Sequence, residues 1–467
     1  MKHKLNLSFM HHEKGFYSRL GALALPIIMQ NLIMTSLGIT DTIMVGFLGE
    51  APMAGVTVAN TPVYIIQLII FGLQSGSAVL ISQYWGKKDA DAVSRVMGIS
   101  FYLAGAISLV FGLIMILIPE RAMSLFTDNP ELIEISSAYI RIAGVSYAFN
   151  SITGVYTGAY HSMGYPKLGL LIYTISMCLN TFLNWVLIFG NLGFPAMGVE
   201  GAALATLISR AVEFAIMILH SRKSRRFVLN FKAVLYPGIH MLRKFLKYST
   251  PVLVNETLWG IGTAIYPTVM GHMENSTEIM AAYTVAGNID RLCTVFTFSI
   301  ASVSVIVIGN EIGKGSSSDE VQDMGASLGA ISIITGLVVG GILILLLFTV
   351  IDPYVYRLFN LSDMATSIAS MMLFINSSVL FMRSFNNTSI VGVLRGGGDV
   401  GAAMFIDVVP LLFIAVPMAI ICGIVLKTSV LWVLLAVVVD EIIKFILGIY
   451  RIRSKKWIND ITVNEAK

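Results

Sequence analysis

The sequence predicts an all-α, polytopic membrane protein with twelve transmembrane helices in two six-helix lobes related by pseudo-twofold symmetry. Three observations carry that reading. The first is composition: of 467 residues, 56% are hydrophobic and only 12% charged, with a mean hydropathy of +0.80, where a soluble domain carries about 25% charged residues. The second is spacing: apolar runs of roughly 20 residues or more, enough to cross a bilayer as a helix, recur along the chain between short polar stretches. The third is an internal repeat. LALPIIMQN around Pro26 matches YSTPVLVNE around Pro251, and LISQYWGKK before Asp89 matches IVIGNEIGKG before Ser316. GVYTGAYHSMG from Gly154 likewise matches GVLRGGGDVG from Gly392, in the same order. A six-helix unit has even parity, so both copies keep one orientation about an axis along the membrane normal, with a central cavity expected between them.

From the N-terminus, a cytoplasmic tail over 1–17 leads into an N lobe over 18–221, with spans at about 18–47, 52–84, 92–118, 132–161, 167–191 and 197–221. A basic linker over 222–241 follows, then a C lobe over 242–453 with spans at about 242–272, 279–311, 320–350, 365–394, 400–425 and 430–453, and a cytoplasmic tail over 454–467. The opening MKHKLNLSFMHHEKGFYSRL is too polar for a signal peptide, so an uncleaved first helix is expected. Pro26, Pro62, Pro251 and Pro267 lie inside spans and are expected to kink or soften them.

Lysine and arginine set the orientation. They gather in the N-terminal tail (Lys2, Lys4, Lys14, Arg19), the second loop (Lys87, Lys88, Arg95), the segment RKSRRFVLNFKAVLYPGIHMLRKFLK from Arg222 to Lys247, and the C-terminal tail (Arg451, Arg453, Lys455, Lys456). The opposite loops offer Arg121, Arg357 and Lys427, so both termini are expected on the cytoplasmic side of the inner cell membrane. The segment after Arg222 is expected to lie on the inner membrane face as a partly amphipathic piece, with a specific anionic-lipid or regulatory site as the alternative. These clusters account for the net charge of +4, and nucleic acid is not an expected partner. Cys178, Cys293 and Cys422 sit in apolar runs without metal-ligand spacing and read as small core residues. The phosphate-binding Walker pattern, HExxH and paired CxxC are absent. The chain reads as no enzyme and carries no cofactor, so uphill transport would draw on an ion gradient.

Polar residues inside the spans carry the chemistry. In GITDTIMVGFLG, Asp41 is a carboxylate at the end of a long apolar run. A charge at the bilayer centre costs about 2.5–3.5 kcal/mol on insertion scales, so it normally faces a bundle interior or a watery cavity. Asn180 and Asn184 lie at matching depth in the fifth span, four residues apart and hence on one helix face. A carboxylate with carboxamide oxygens makes a candidate sodium or proton coupling site, with a structural hydrogen-bond network as the alternative. Tyr139 and Thr206 are further oxygen donors that spacing does not single out. In the C lobe, Glu256, Asp290, Arg383 and Asn386 are the transport candidates, with Asn255, Arg291 and Asn387 beside them. A static buried pair between Arg383 and an acid is the alternative there. Asp407, Asp440, Glu441 and Lys444 read as helix-end or packing charges. Met270, Met273, Trp259, Tyr266 and Tyr64 are expected to line a cavity for bulky amphipathic organic cations. The expected partners are thus a small-molecule substrate and the lipid bilayer, with the chain working as a monomer.

The stretches LPIIMQNLIMTSLGITDTIMVGFLG, GVYTGAYHSMGYPK, LNTFLNWVLIFGNLGFPAMGVEGAALAT, AAYTVAGNIDRL and GVLRGGGD, within residues 15–455, together resemble the multidrug and toxic compound extrusion family of secondary transporters. The resemblance implies a V-shaped cavity between two six-helix lobes and export of organic cations in exchange for sodium ions or protons. It places the family's first-helix carboxylate at Asp41 and its fifth-helix asparagine at Asn180. A position where many members have aspartate holds Asn184, one negative charge fewer. A sixth-helix hydroxyl of some members corresponds to Ala202 or Ala203, and a seventh-helix acid to Glu256. The tenth-helix acid falls near Phe385 and Asn386, where no carboxylate stands. A flippase or exporter of a lipid-linked or polar metabolite is the alternative function.

Overall fold

The computed structural model describes residues 15–358 and 361–463, so most of the expected N-terminal tail and the last four residues of the C-terminal tail lie outside the described residues. The described chain is helical throughout. In order come α1 (Phe16–Gly46), α2 (Glu50–Gly86), α3 (Ala90–Leu117), α4 (Pro119–Met123), α5 (Pro130–Ala143), α6 (Ser146–Ser162), α7 (Lys167–Phe189), α8 (Gly198–Lys223) and α9 (Phe231–Leu235). They are followed by α10 (Ile239–Gly271), α11 (Ser276–Lys314), α12 (Ser318–Leu346), α13 (Tyr356–Leu358), α14 (Asp363–Ser378), α15 (Leu380–Asn387), α16 (Val400–Pro410), α17 (Val416–Ile420) and α18 (Val430–Arg453). Wide-turn π segments continue α12, α15, α16 and α17.

Local chemistry sets the helix ends. The Asp89 side chain accepts from the Ala92 N–H at 2.9 Å to open α3, and Ser317 with Glu320 forms a reciprocal capping box at the start of α12. Gly190, with φ 73°, ends α7 in the left-handed conformation that favours glycine.

Among the described residues, eight helical stretches are long and apolar enough to cross a membrane: α1, α2, α3, α7, α8, α11, α12 with its continuation, and 400–425. The stretch 363–394 makes a ninth, bent by 52°. The remaining predicted spans are helical but more polar. α10 carries Asn255 and Glu256, α18 carries Asp440, Glu441 and Lys444, and the span predicted over 132–161 divides into α5 and α6 at Gly144.

The two breaks share a cause. A Cβ on Gly112 of α3 would lie 2.8 Å from the Gly144 carbonyl oxygen, so two backbones touch where α5 gives way to α6. In the other half, a Cβ on Gly336 of α12 would lie 2.5 Å from the Phe381 Cα, beside the break between α14 and α15. In each half the third span thus offers glycine to the broken fourth span, a structural counterpart of the sequence repeat.

The chain divides into two compact units, one over Leu25–Thr250 and the other holding the described residues before Leu25 together with those from Pro251 onward. The first has a core around Met123, Tyr139, Ile140 and Ala203, the second around Met270, Leu343, Leu373 and Val433. Met270, Met273 and Tyr266 are buried in that second core instead of lining a cavity, whereas Trp259 and Tyr64 are exposed. Cys178 is exposed and Cys293 and Cys422 are half-buried, so the first is a surface residue rather than a core one. Exposed leucines, valines and isoleucines such as Leu109, Val110, Leu337 and Val338 suit the lipid-facing surface of a bundle.

Each unit also ends in a docked segment. After α8, the Phe227 ring is buried against Trp85 and Tyr160, with centroids 5.9 and 6.2 Å away. After α18, Trp457 is fully buried, and its Nε1–H donates to Gln322 Oε1 at 3.1 Å and to the Ile452 carbonyl at 3.0 Å. The Asn459 N–H donates to the Gly397 carbonyl at 2.9 Å, tying the residues after α18 to the GGGD turn.

Candidate functional site

In the first unit, α1 supplies Asp41, α7 supplies Asn180 and Asn184, and α8 packs along α7. The Asn184 amide nitrogen donates to Asp41 Oδ1 at 2.6 Å and to Asn180 Oδ1 at 3.1 Å. Asn180 in turn donates to the Thr206 hydroxyl at 3.4 Å, and the Tyr139 hydroxyl meets Thr206 from α5. The two asparagines are 2% and 1% exposed, so their polar groups need partners within the lobe. The three residues selected from the sequence are therefore brought together, with two hydroxyls that spacing did not select.

Thr206, one of the further oxygen donors named from the sequence, supplies a hydroxyl to this group one helical turn beyond Ala202 and Ala203, which are buried in the apolar core. The span also holds a charged pair missing from the sequence-based set: Arg210 Nη1 and Glu213 Oε1 lie 2.7 Å apart. Thr206, Arg210 and Glu213 fall at helical spacing on one face of α8, and Arg210 interacts electrostatically with Asp41. An arginine and a glutamate inside a predicted span were the available signal.

Asp41 itself makes no ion pair among the described residues. Its carboxylate is held by a carboxamide, and the Asn184 Oδ1 is buried without a hydrogen-bond partner. A carboxylate, two carboxamide oxygens and two hydroxyls form an all-oxygen donor set of the kind a hard cation prefers. The same carboxylate is the group on which a proton would sit.

The second unit solves the burial of charge differently. Glu256 pairs with Arg395 at 2.7 Å, Asp290 with Arg383 at 2.8 Å, and Lys444 bridges Asp407 and Asp440, each at 2.9 Å. Arg383 also reaches Glu441 at 3.7 Å, and Asn386 donates to Glu441 Oε2 at 2.7 Å. Asn255 donates to Asp407 Oδ2 at 2.9 Å. All four C-lobe candidates fall in this network, but Glu256, Asp290 and Arg383 meet opposite charges from other helices. Of the two readings given to Asp407, Asp440, Glu441 and Lys444, helix-end or packing charges, the ion pairs agree with packing: they form the middle of the network. Arg395, whose GVLRGGGD setting reads as a turn, supplies the partner of Glu256.

Comparison with known proteins agrees with this architecture. The MatE family model matches residues 26–186 and again 251–421, once in each half. The uncharacterized transporter YisQ of Bacillus subtilis is 27% identical over 447 residues, covering 94% of both chains. The probable multidrug resistance protein NorM of Thermotoga maritima is 24% identical over 439 residues, covering 93% of this chain and 92% of that one. The crystal structure of the eukaryotic MATE transporter AtDTX14 superimposes with a TM-score of 0.81 at 16% identity, over 96% of this chain and 97% of that one. The fold is thus the twelve-helix, two-lobe arrangement of these membrane proteins. With the family model matched in both halves, the chain belongs to the MatE family of multidrug efflux transporters.

Proposed function

We propose that the chain is a secondary antiporter of the inner cell membrane, with both termini cytoplasmic, that exports amphipathic organic cations in exchange for sodium ions or protons. The observation that carries this reading is Asp41: a carboxylate set in an all-oxygen group of one lobe and without an ion-pair partner among the described residues. The relative NorM, a probable multidrug resistance protein, supports a small-molecule substrate.

In the mechanism, a coupling cation from outside reaches Asp41 and is surrounded by Asn180, Asn184, Thr206 and Tyr139. The Asn184 carboxamide turns about its last torsion, so that the buried Oδ1 faces the cation in place of the amide that now holds Asp41. This rearrangement favours the packing of the lobe in which cargo is released. Return to the inward-facing state discharges the cation and loads cytosolic cargo. Each ligand shifts the equilibrium by its difference in affinity for the two states, and the coupling is reciprocal. In this reading Glu256, Asp290, Arg383 and Asn386 hold C-lobe helices in register, because their charges are already matched.

The test is flux of a fluorescent organic cation in proteoliposomes under separately imposed sodium and proton gradients, comparing the unsubstituted protein with Asp41→Asn at equal folded content. Gradient-driven flux reduced to that of protein-free vesicles by the substitution is the expected result, and the gradient that drives it identifies the ion. Flux unchanged in Asp41→Asn overturns the mechanism and moves the coupling site to the C lobe.

A further inference from the structure

Residues 222–247 contain eight lysines and arginines and no acidic residue. Their inner side is fixed to the first unit. The Asn230 side chain accepts from the Lys232 and Ala233 N–H groups at 3.1 and 3.2 Å, and its own amide donates to Asp91 Oδ1 at 2.8 Å. The Asn230 N–H donates to the Ser94 hydroxyl at 3.2 Å, and the Tyr102 hydroxyl donates to the Leu235 carbonyl at 3.2 Å. A Cβ on Gly98 of α3 would lie 2.4 Å from the Val234 carbonyl oxygen, so α9 sits on α3 backbone to backbone.

The outer side is unlike a water-facing charge run. Val228 and Tyr236 are 73% and 76% exposed, and Phe231 and Leu235 are exposed with them. Arg225 and Lys232, also exposed, alternate with these apolar groups. Aromatic and aliphatic side chains beside bases are the composition of a surface that rests in the boundary between headgroups and acyl chains, with the long cationic stems reaching toward phosphate. The lack of any acidic residue selects negative headgroups over zwitterionic ones, since every Lys or Arg near the surface adds attraction to an anionic leaflet. Its hydrogen bonds to α3 hold the segment in place, so little ordering is needed for lipid to bind.

We propose that this segment is a docking surface for anionic phospholipids of the cytoplasmic leaflet, with Arg225 and Lys232 taking the headgroup phosphates and Val228, Phe231, Leu235 and Tyr236 entering the acyl boundary. The choice of leaflet rests on the orientation proposed above; the affinity for anionic lipid does not.

The test uses Phe231→Trp and follows the quenching of its added fluorescence in nanodiscs by brominated phosphatidylglycerol or brominated phosphatidylcholine at equal mole fraction, as the difference from the unsubstituted protein. Severalfold stronger quenching by the brominated phosphatidylglycerol is expected. Arg225→Gln with Lys232→Gln should bring it down to the phosphatidylcholine level, and added salt should weaken it. Equal quenching by the two lipids overturns the headgroup preference. Quenching by neither places the segment away from the membrane and overturns the proposal altogether. The readout involves no flux, so it succeeds or fails separately from the transport mechanism.

Discussion

The two halves of the chain carry the same helical plan and differ in their buried acids: the N lobe pairs Glu213 with Arg210 but leaves Asp41 without an ion pair among the described residues. In the N lobe, Asp41 is held by the Asn184 carboxamide and faces oxygens; in the C lobe, Glu256, Asp290, Asp407, Asp440 and Glu441 each lie against a lysine or arginine. A repeat therefore conserves backbone geometry, as in the breaks beside Gly112 and Gly336, without conserving electrostatics. An acid that already has an ionic partner gains less from a mobile cation than one that has a dipole, because the partner must first be displaced. On the function proposed above, this difference puts coupling at Asp41 and leaves cohesion to the paired charges of the C lobe.

The largest expected effect breaks the cohesive side. In Arg395→Met the Glu256 carboxylate stays buried without its 2.7 Å partner, and removing one member of a buried pair costs about 3–5 kcal/mol. Thermal unfolding of the purified protein in detergent should show a clear loss of stability. The double variant Arg395→Met with Glu256→Gln, which leaves no uncompensated charge, should recover most of it. If the double variant is as unstable as the single one, the pair is not what holds these helices, and the contrast between the lobes loses its footing.

A second prediction concerns how each unit closes. Phe227 packs by ring contacts with Trp85 and Tyr160, whereas Trp457 adds hydrogen bonds to Gln322 and the Ile452 carbonyl. Trp457→Phe converts the second closure to the chemistry of the first. It removes the two hydrogen bonds of a buried indole N–H, at a net of about 0.5–1.5 kcal/mol each, while the Ile452 carbonyl keeps the Lys455 N–H at 3.3 Å, so the unfolding temperature should fall by less than in Arg395→Met. Phe227→Leu, which removes no hydrogen bond, should fall less again. Equal losses in Trp457→Phe and Phe227→Leu would mean that ring volume, not the hydrogen bonds, secures the segment after α18.

Much of this was legible in the sequence, for particular reasons. Asp41 stood out because it is the first ionisable residue after a long apolar run, and Asn180 and Asn184 because four residues return a helix to the same face. The C-lobe network was legible only in part: a buried pair between Arg383 and an acid was the stated alternative, and Asp290 supplies it at 2.8 Å, but only the packing of α16 against α18 shows that Asp407 is a partner of Lys444. Arg395 lay hidden beside three glycines that read as turn chemistry. The cavity assignment of Met270, Met273 and Tyr266 failed for a more general reason. In a membrane helix the lipid-facing and core-facing sides are both apolar, so the polar stripe that separates inside from outside in a soluble helix is missing. Thr206 could be named as an oxygen donor but not singled out, since the small residues around 198–205 give no feature to fix the register.

The smallest expected effect tests the N lobe most directly. Asn184 donates to Asp41 Oδ1 at 2.6 Å, so Asn184→Asp replaces a hydrogen-bond donor with a second carboxylate in contact with the first. Two like charges at that distance disfavour each other unless a cation or a proton lies between them. In sodium-free buffer the variant should unfold at a lower temperature than the unsubstituted protein. If sodium is the coupling ion, added sodium should restore the loss as a ligand that binds the folded state does. The apparent sodium affinity in flux should then rise by about tenfold, equivalent to about 1.4 kcal/mol. If lowering the pH restores stability and sodium does not, the pair shares a proton and coupling is to protons. If neither ion changes the stability of Asn184→Asp beyond its effect on the unsubstituted protein, the second carboxylate does not face the coupling ion. Asn184 is then a helix-to-helix bond, and the N lobe is held by its polar residues just as the C lobe is.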